Sequence, residues 1–287
     1  MVHKRLYLSA LIFVFLCMTS LAEVKVMGFN VRYNSPKDTG ETSWDVRKTA
    51  IQRFIRDVRP DVVAVGEARE SMRKDLKELL PEYGQIEIPG TGSRSGANTI
   101  LIYNKNTVSL LKEGSFFHSP TPDKPSRCWS HSSEQWRGTC WGKFREKTTG
   151  KDFYFFATHL CLGLKNHDLE AKLNSAMLNV IRMRDIAGED APVFIAGDMN
   201  ASRDEDDVRR WGLQPFHFWM NDGRDVPVSN NEPTFNGFGK VKMTSRHVID
   251  FIYYRNADVK KFENFNKPGL GVNYISDHYP NMITAEL

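Results

Sequence analysis

Asp198 and Asn200 stand two residues apart just beyond the apolar run 193–196. On an extended segment that spacing turns a carboxylate and an amide to the same side. The same arrangement, a polar or ionisable residue closing a short apolar run, recurs along the chain. Asn30 follows 24–29, Glu67 follows 62–65, His159 closes 153–159, Asp250 lies within 248–254, and Asp277-His278 follows Tyr274-Ile275. Glu67 offers the carboxylate oxygen that a hard divalent cation prefers. Asp277 and His278 form an acid/base pair by type, but adjacent side chains diverge on an extended segment, which leaves Asp250 the better partner to orient His278. Each residue also has an ordinary reading. Asn30 suits a turn, Glu67 the first turn of a helix, His159 a hydrogen-bonded place in the core, and Asp198–Asn200 a tight turn.

The elements that must position these groups alternate in type. Residues 24–29, 62–65, 99–103, 153–159, 193–196 and 248–254 read as strands. Val46, Ala50, Phe54, Ile55 and Val58 fall at helical spacing within 44–58, before Pro60. Met72, Leu76, Leu79 and Leu80 mark a second amphipathic helix that Pro81 stops, and Leu169, Leu173, Ala176, Met177, Val180 and Ile181 mark a third. Strands interleaved with helices, without a repeat or linker between 23 and 287, imply one α/β domain with layered sheets. Strand ends that face one way converge on a single mouth.

Composition narrows the class. Of 287 residues 40% are hydrophobic and 26% charged, with 18 Phe, 9 Tyr and 6 Trp to bury, which excludes a disordered or fibrous chain. Residues 1–22 have the three parts of a secretory signal peptide: Lys4 and Arg5, the apolar run 6–17, and Ser20-Leu21-Ala22. The run is short for a bilayer span, which needs about 20 apolar residues. Cleavage after Ala22 takes 22 residues from 287, leaves 265, and lowers the formal charge from +4 to +2. The expectation is a secreted or periplasmic protein, and its charge gives little support to a nucleic-acid partner.

The motifs, in order, are Asn30-Val31, Glu67, Thr158-His159-Leu160, Gly197-Asp198-Met199-Asn200, Ile249-Asp250-Phe251-Ile252 and Ser276-Asp277-His278-Tyr279-Pro280. Together they resemble the endonuclease/exonuclease/phosphatase superfamily over residues 24–287. That resemblance implies a four-layer α/β sandwich, with two mixed, mainly antiparallel sheets face to face and helices outside. It implies a divalent cation, usually Mg²⁺ with Mn²⁺ or Ca²⁺ as substitutes, held by Asn30 and Glu67 with Asp277 at or near it. Asp198 and Asn200 would contact the attacking water or the phosphate. His159 and His278 would handle protons and bind phosphate oxygens, and Asp250 would orient His278. Hydrolysis of a phosphate ester needs neutralised non-bridging oxygens, an activated in-line water and a stabilised leaving oxygen. His278 with Asp250 can serve as base or as a charged phosphate clamp, with Asp198 a rival base.

Two departures from the family pattern stand out. Gly66 precedes Glu67 where many members have Gln, and Cys161 follows His159 by two residues where some carry an acid. Cys161 reads best as a small buried hydrophobe. The segment 127–141, RCWSHSSEQWRGTCW, gathers Arg127, Trp129, His131 and Arg137, with Arg137 and Trp129 the candidates to bind substrate and Cys128–Cys140 the candidate disulfide. A rim loop is expected at 231–239. The substrate is a phosphate ester of nucleic acid, a lipid headgroup or a sugar or inositol, and the chain is expected to be monomeric. A non-catalytic binding relative on the same scaffold is the alternative.

Overall fold

Strand β1 (Glu23–Asn30) buries Val24 and Val26 on one face and Met27 and Phe29 on the other. A strand buried on both faces belongs inside a layered structure. The computed structural model describes residues 23–89, 98–129, 136–163, 166–204, 206–227, 229–230, 232–266 and 270–287, with the backbone alone at 166–167. The leader expected at 1–22 and His131 lie outside them.

Helix α1 (Trp44–Val58), β2 (Val62–Gly66), α2 (Glu70–Leu79), β3 (Tyr83–Glu87) and β4 (Ile100–Asn104) follow β1. Next come β5 (Val108–Phe117), β6 (Gly138–Glu146), β7 (Asp152–His159), α3 (Asn166–Ala187), β8 (Val193–Asp198), α4 (Gln214–Trp219) and β9 (Asn221–Asp222). Strands β10 (Asp250–Arg255), β11 (Asp258–Asn264) and β12 (Asn281–Glu286) close the chain. One six-stranded sheet has the order β11-β12-β1-β2-β4-β3 and the other β5-β6-β7-β8-β10-β9. Only β1–β2 and β7–β8 are parallel. No helix among the described residues is long and apolar enough to cross a membrane.

The period of two on each strand sorts side chains into three cores. Val24, Val26, Ala64, Phe153, Phe155, Ala157, Phe194, Ala196 and Ile252 pack between the sheets. Met27, Phe29, Val63 and Val65 meet α1 and α2, while Phe156, Ile195 and Phe251 meet α3 and α4. This is the four-layer α/β sandwich. The sheets approach closely at Gly28, where a Cβ would lie 2.7 Å from Asn281 Oδ1 and 3.6 Å from Ala196 Cβ.

The structure corrects several readings of the chain. On α1 the buried face carries Arg47, fully enclosed, while Val46 is 43% exposed. On α3 the polar Ser175 and Asn179 point inward and Leu173, Met177 and Ile181 are exposed. Asn179 belongs to a buried network, its amide touching His118 Nε2 at 3.2 Å and accepting from Thr139 Oγ1 at 2.7 Å. Tyr274-Ile275 is not a strand, so Asp277 and His278 precede β12 instead of ending a strand. Residues 138–141 belong to β6 and not to a loop. That strand turns Cys140 between the sheets, whereas Cys128 packs with Cys161 and Ala171 in a separate cluster. The candidate Cys128–Cys140 bond is therefore not formed, and none of Cys128, Cys140 and Cys161 is in a disulfide.

Candidate active site

Asn30, His159 and Asp198 each continue the alternation that points Val26, Ala157 and Ala196 between the sheets, so all three emerge at one end of the inter-sheet core. Asp250 sits opposite Asp198 in the antiparallel register of β10 on β8. The mouth thus collects the C-terminal ends of β1, β2, β7 and β8 and the N-terminal ends of the strands that run against them. Three residues here are held in the left-handed region, Arg32, Glu67 and Asn200 at φ 54°, 64° and 48°. Such backbone is uncommon outside glycine and gathers at functional sites.

Loops are tied to this end by specific bonds. The Arg47 guanidinium donates to the carbonyls of Val31 (2.6 Å), Thr42 (2.7 Å), Arg32 (3.1 Å) and Ile275 (3.1 Å). It pins the loop after Asn30 to the loop before Asp277. Ser276 Oγ donates to Asn30 O at 2.6 Å, and Thr234 Oγ1 accepts from the backbone of Ile249 and Asp250.

A cavity of about 500 Å³ results, lined by Glu67, Arg137, His159, Asp198, Asn200, Asp277 and His278 among others. His278 Nδ1 and Asp250 Oδ2 are 2.8 Å apart. Burial opposes a charge on His278, yet Asp250, Asp198 and Asp277 overcome it and raise its pKa to about 10. Asp198 is pushed up to about 7, by burial first and then by the negative charge of Asp250. Its Oδ1 accepts from Asn200 N at 2.8 Å and its Oδ2 from Asn30 Nδ2 at 3.1 Å.

His159 behaves differently. Burial, then Arg137 and His278, hold its pKa well below the ordinary histidine value. Asn200 Nδ2 donates to Leu160 O and touches His159 Nε2, each at 3.0 Å, so this ring nitrogen accepts. Burial thus favours the neutral ring of His159, whose Nε2 also lies 3.4 Å from Asp198 Oδ2. Arg137 is buried at the pocket wall, where desolvation lowers its pKa against the pull of Glu67 and Asp198.

Asp198, Asp250 and His278 offer ligand atoms within 4.8 Å of one another. The 2.8 Å His278–Asp250 contact already uses two of those atoms, so the trio is better described as a proton-holding cluster. Glu67 and Asp277 are the better fit to a hard cation, being all-oxygen donors whose charges repel across the pocket. Burial first, then Glu67, raises the pKa of Asp277. Asn30 is held at both ends of its amide. Its Oδ1 accepts from Arg32 N at 3.0 Å while Nδ2 faces Asp198 Oδ2 at 3.1 Å and Glu67 Oε1 at 3.4 Å. Carboxylates on one side and a backbone N–H on the other fix that orientation, and Oδ1 keeps a second lone pair that a cation can use.

Trp129 is absent from the pocket lining and packs beside Cys128 and Cys161. Cys161 is buried, and burial pushes its thiol up to about 11. Sequence reasoning missed Arg32, Tyr33, Leu162, Arg209, Arg246, His247 and Ile249 in the lining. Phe235, in the expected rim loop, does reach it.

A sequence profile of the Endonuclease/Exonuclease/phosphatase family matches residues 27–278. The chain belongs to that family. Its members are phosphoric ester hydrolases, and this chain is one. Among solved structures the chain is similar to an endonuclease/exonuclease/phosphatase from Bacteroides vulgatus, 28% identical over 92% of this chain and 99% of that one, at TM-score 0.79. A mannosyl-6-phosphatase of Bacteroides thetaiotaomicron VPI-5482 is 23% identical over 92% of this chain and all of that one, at TM-score 0.76. TDP2 of D. rerio, complexed with single strand DNA product, is 18% identical over 92% and 99%, at TM-score 0.69. These last two likenesses concern the fold. No curated protein matches the sequence.

Proposed function

We propose that this family member is an exported, Mg²⁺-dependent phosphoesterase that hydrolyses a small phosphate ester by attack of water. The observation that carries the reading is the convergence of Asp198, the His278–Asp250 pair and Arg137 on the cavity beside Glu67 and Asp277. A cavity of about 500 Å³ suits a small molecule.

Asp198, with its pKa raised to about 7, accepts the proton of the attacking water; the bond from phosphorus to the alcohol oxygen breaks, that oxygen takes a proton from solvent water, and Asp198 returns its own proton to solvent. His278 stays positively charged through neutrality, so together with Arg137 it clamps the phosphoryl oxygens as charge builds on them. Asn200 and neutral His159 fix the remaining oxygens by hydrogen bonds. A divalent cation bound at Glu67 and Asp277 supplies further neutralisation of the non-bridging oxygens.

Hydrolysis of phenyl phosphate with added Mg²⁺ is expected to stop with EDTA and to return on adding Mg²⁺ in excess. Undiminished turnover in EDTA would remove the cation from the reading. The pH profile tests the proton assignments. kcat/KM is expected to rise about tenfold per unit below about pH 7, as Asp198 loses its proton, and to fall above about pH 10, as His278 does. A rate flat from pH 5 to 8 would contradict the role of Asp198.

A further inference from the structure

The mechanism leaves one side of the pocket unused, the wall made by Phe235, Arg246 and His247. His247 closes a short 3-10 turn, Ser245–His247, through a reciprocal cap with Thr244. Thr244 N donates to His247 Nδ1 at 3.0 Å. A backbone N–H can only donate, so Nδ1 carries no proton while that bond is made and the ring proton sits on Nε2. No described residue hydrogen-bonds Nε2, and the ring lines the cavity. The ring is also held flat against Phe235, with centroids 6.0 Å apart and planes 26° apart. It is a fixed donor facing the pocket. Beside it, Arg246 is exposed, with Asp204 Oδ2 4.0 Å from its Nε and Asp206 O 3.5 Å from its Nη2.

The aromatic rings of the pocket are engaged already. Phe235 lies between His247 and His278, the latter at 5.0 Å. Tyr33 is covered by the guanidinium groups of Arg32 at 4.3 Å and Arg69 at 4.1 Å. Among the described residues a nucleobase therefore meets no ready stacking platform of the kind single-strand binders present. The aliphatic lining among the described residues is Leu162, 57% exposed, and buried Ile249, too little to seat an acyl chain. What the wall presents is the donors of His247 and Arg246, which suits hydroxyl oxygens.

We propose that His247 and Arg246 form the subsite that recognises the alcohol side of the ester, and that this alcohol is polyhydroxylated, of the sugar or cyclitol type. The inference rests on the phosphoesterase reading above and adds to it the class of leaving group. His247 Nε2–H donates to one hydroxyl and the Arg246 guanidinium to another. Neither residue touches the reacting phosphorus.

The test compares glucose 6-phosphate with phenyl phosphate, which has no hydroxyl, on the full chain with Mg²⁺. His247→Phe keeps a ring against Phe235 and removes the donor, and Arg246→Met removes the cation. Each is expected to lower kcat/KM on glucose 6-phosphate by roughly tenfold, the worth of one hydrogen bond, and on phenyl phosphate by less than about twofold. A misfolded variant lowers both substrates alike, so the ratio reads recognition alone. Equal losses on both substrates in a variant whose thermal melt matches the wild type, or no loss on either, would overturn the subsite. Faster wild-type hydrolysis of an oligonucleotide or a lysophospholipid than of glucose 6-phosphate would overturn the polyhydroxylated class while leaving the phosphoesterase standing. A wild-type protein inert toward every one of these esters would remove both.

Discussion

Replacing His278 with alanine is expected to reduce kcat/KM by roughly 10³-fold, the upper end of what removing one donor that stabilises transition-state charge costs. The size of the effect follows from where the charge sits. His278 is buried, its Nδ1 lies 2.8 Å from Asp250 Oδ2, and its Nε2 lies 3.8 Å from Asp198 Oδ2. Alanine removes the cation that holds phosphoryl oxygens and leaves Asp198 and Asp250 facing each other without it. Asp250→Asn separates charge from position. Asp250 Oδ1 has no hydrogen-bond partner among the described residues, so the amide NH₂ can take that side while the amide oxygen keeps the bond from His278 Nδ1. The ring then stays in place but loses the carboxylate that raises its pKa most strongly. The alkaline limb of the pH profile is expected to move down from about pH 10 toward neutrality, with a smaller loss at the optimum than in His278→Ala. An unmoved alkaline limb in Asp250→Asn would break the link between this pair and the rate. Full activity in His278→Ala would remove the mechanism.

The site was readable in the sequence because the strands that carry it are buried on both faces. Runs such as 62–65 and 193–196 cannot be anything but interior, and a polar residue at their end must then lie at the edge of the core. Asn30, Glu67, His159 and Asp198 were visible for that reason; the period of two put Asn30, His159 and Asp198 on one face, while Glu67 stands one residue past β2 in left-handed backbone. The edge strands lack such a signature. β11 reads DVKKFEN, half solvated, and β5 exposes Leu111 to Glu113, so neither gives a clean apolar run. Arg47 and Asn179 were hidden for another reason. On a helix wheel each looks like part of a wet face. Arg47 is inside because four loop carbonyls need a donor, and Asn179 because His118 and Thr139 need a partner. Those needs arise from backbone that folds irregularly, which no pattern of residue types encodes. Protonation was equally invisible. His159 and His278 are the same residue type at the same mouth, and burial beside Arg137 neutralises one while burial beside Asp250 charges the other.

Asp198→Asn is expected to abolish turnover and yet make the protein more stable at pH 8. Burial and the charge of Asp250 lift the folded-state pKa of Asp198 to about 7, above its ordinary value of 3.8. The fold therefore prefers the protonated form. Below about pH 4 the carboxyl is protonated folded or unfolded, and the residue costs nothing. As pH rises toward 7 the unfolded chain gains the freedom to ionise first, so stability is lost across that window and the whole penalty stands above it. A shift of about three units corresponds to an upper bound of about 4 kcal/mol. Asparagine escapes the penalty but replaces one acceptor oxygen with an NH₂, and Asn30 Nδ2 or Asn200 N then loses its acceptor. The net gain is expected to be about 1–2 kcal/mol at pH 8, a rise of a few degrees in Tm, and to turn into a net loss of about 1–3 kcal/mol near pH 4, where the penalty is gone and the lost acceptor remains. Thermal melts of both proteins from pH 4 to 8 measure this directly. A variant less stable than wild type at pH 8 would show that Asp198 is held ionised at a profit to the fold, and would move the water-activating role to another group. A variant that is more stable but inert would place the cost of the buried carboxylate where activity uses it, in a base strong enough to take a proton from water at neutral pH.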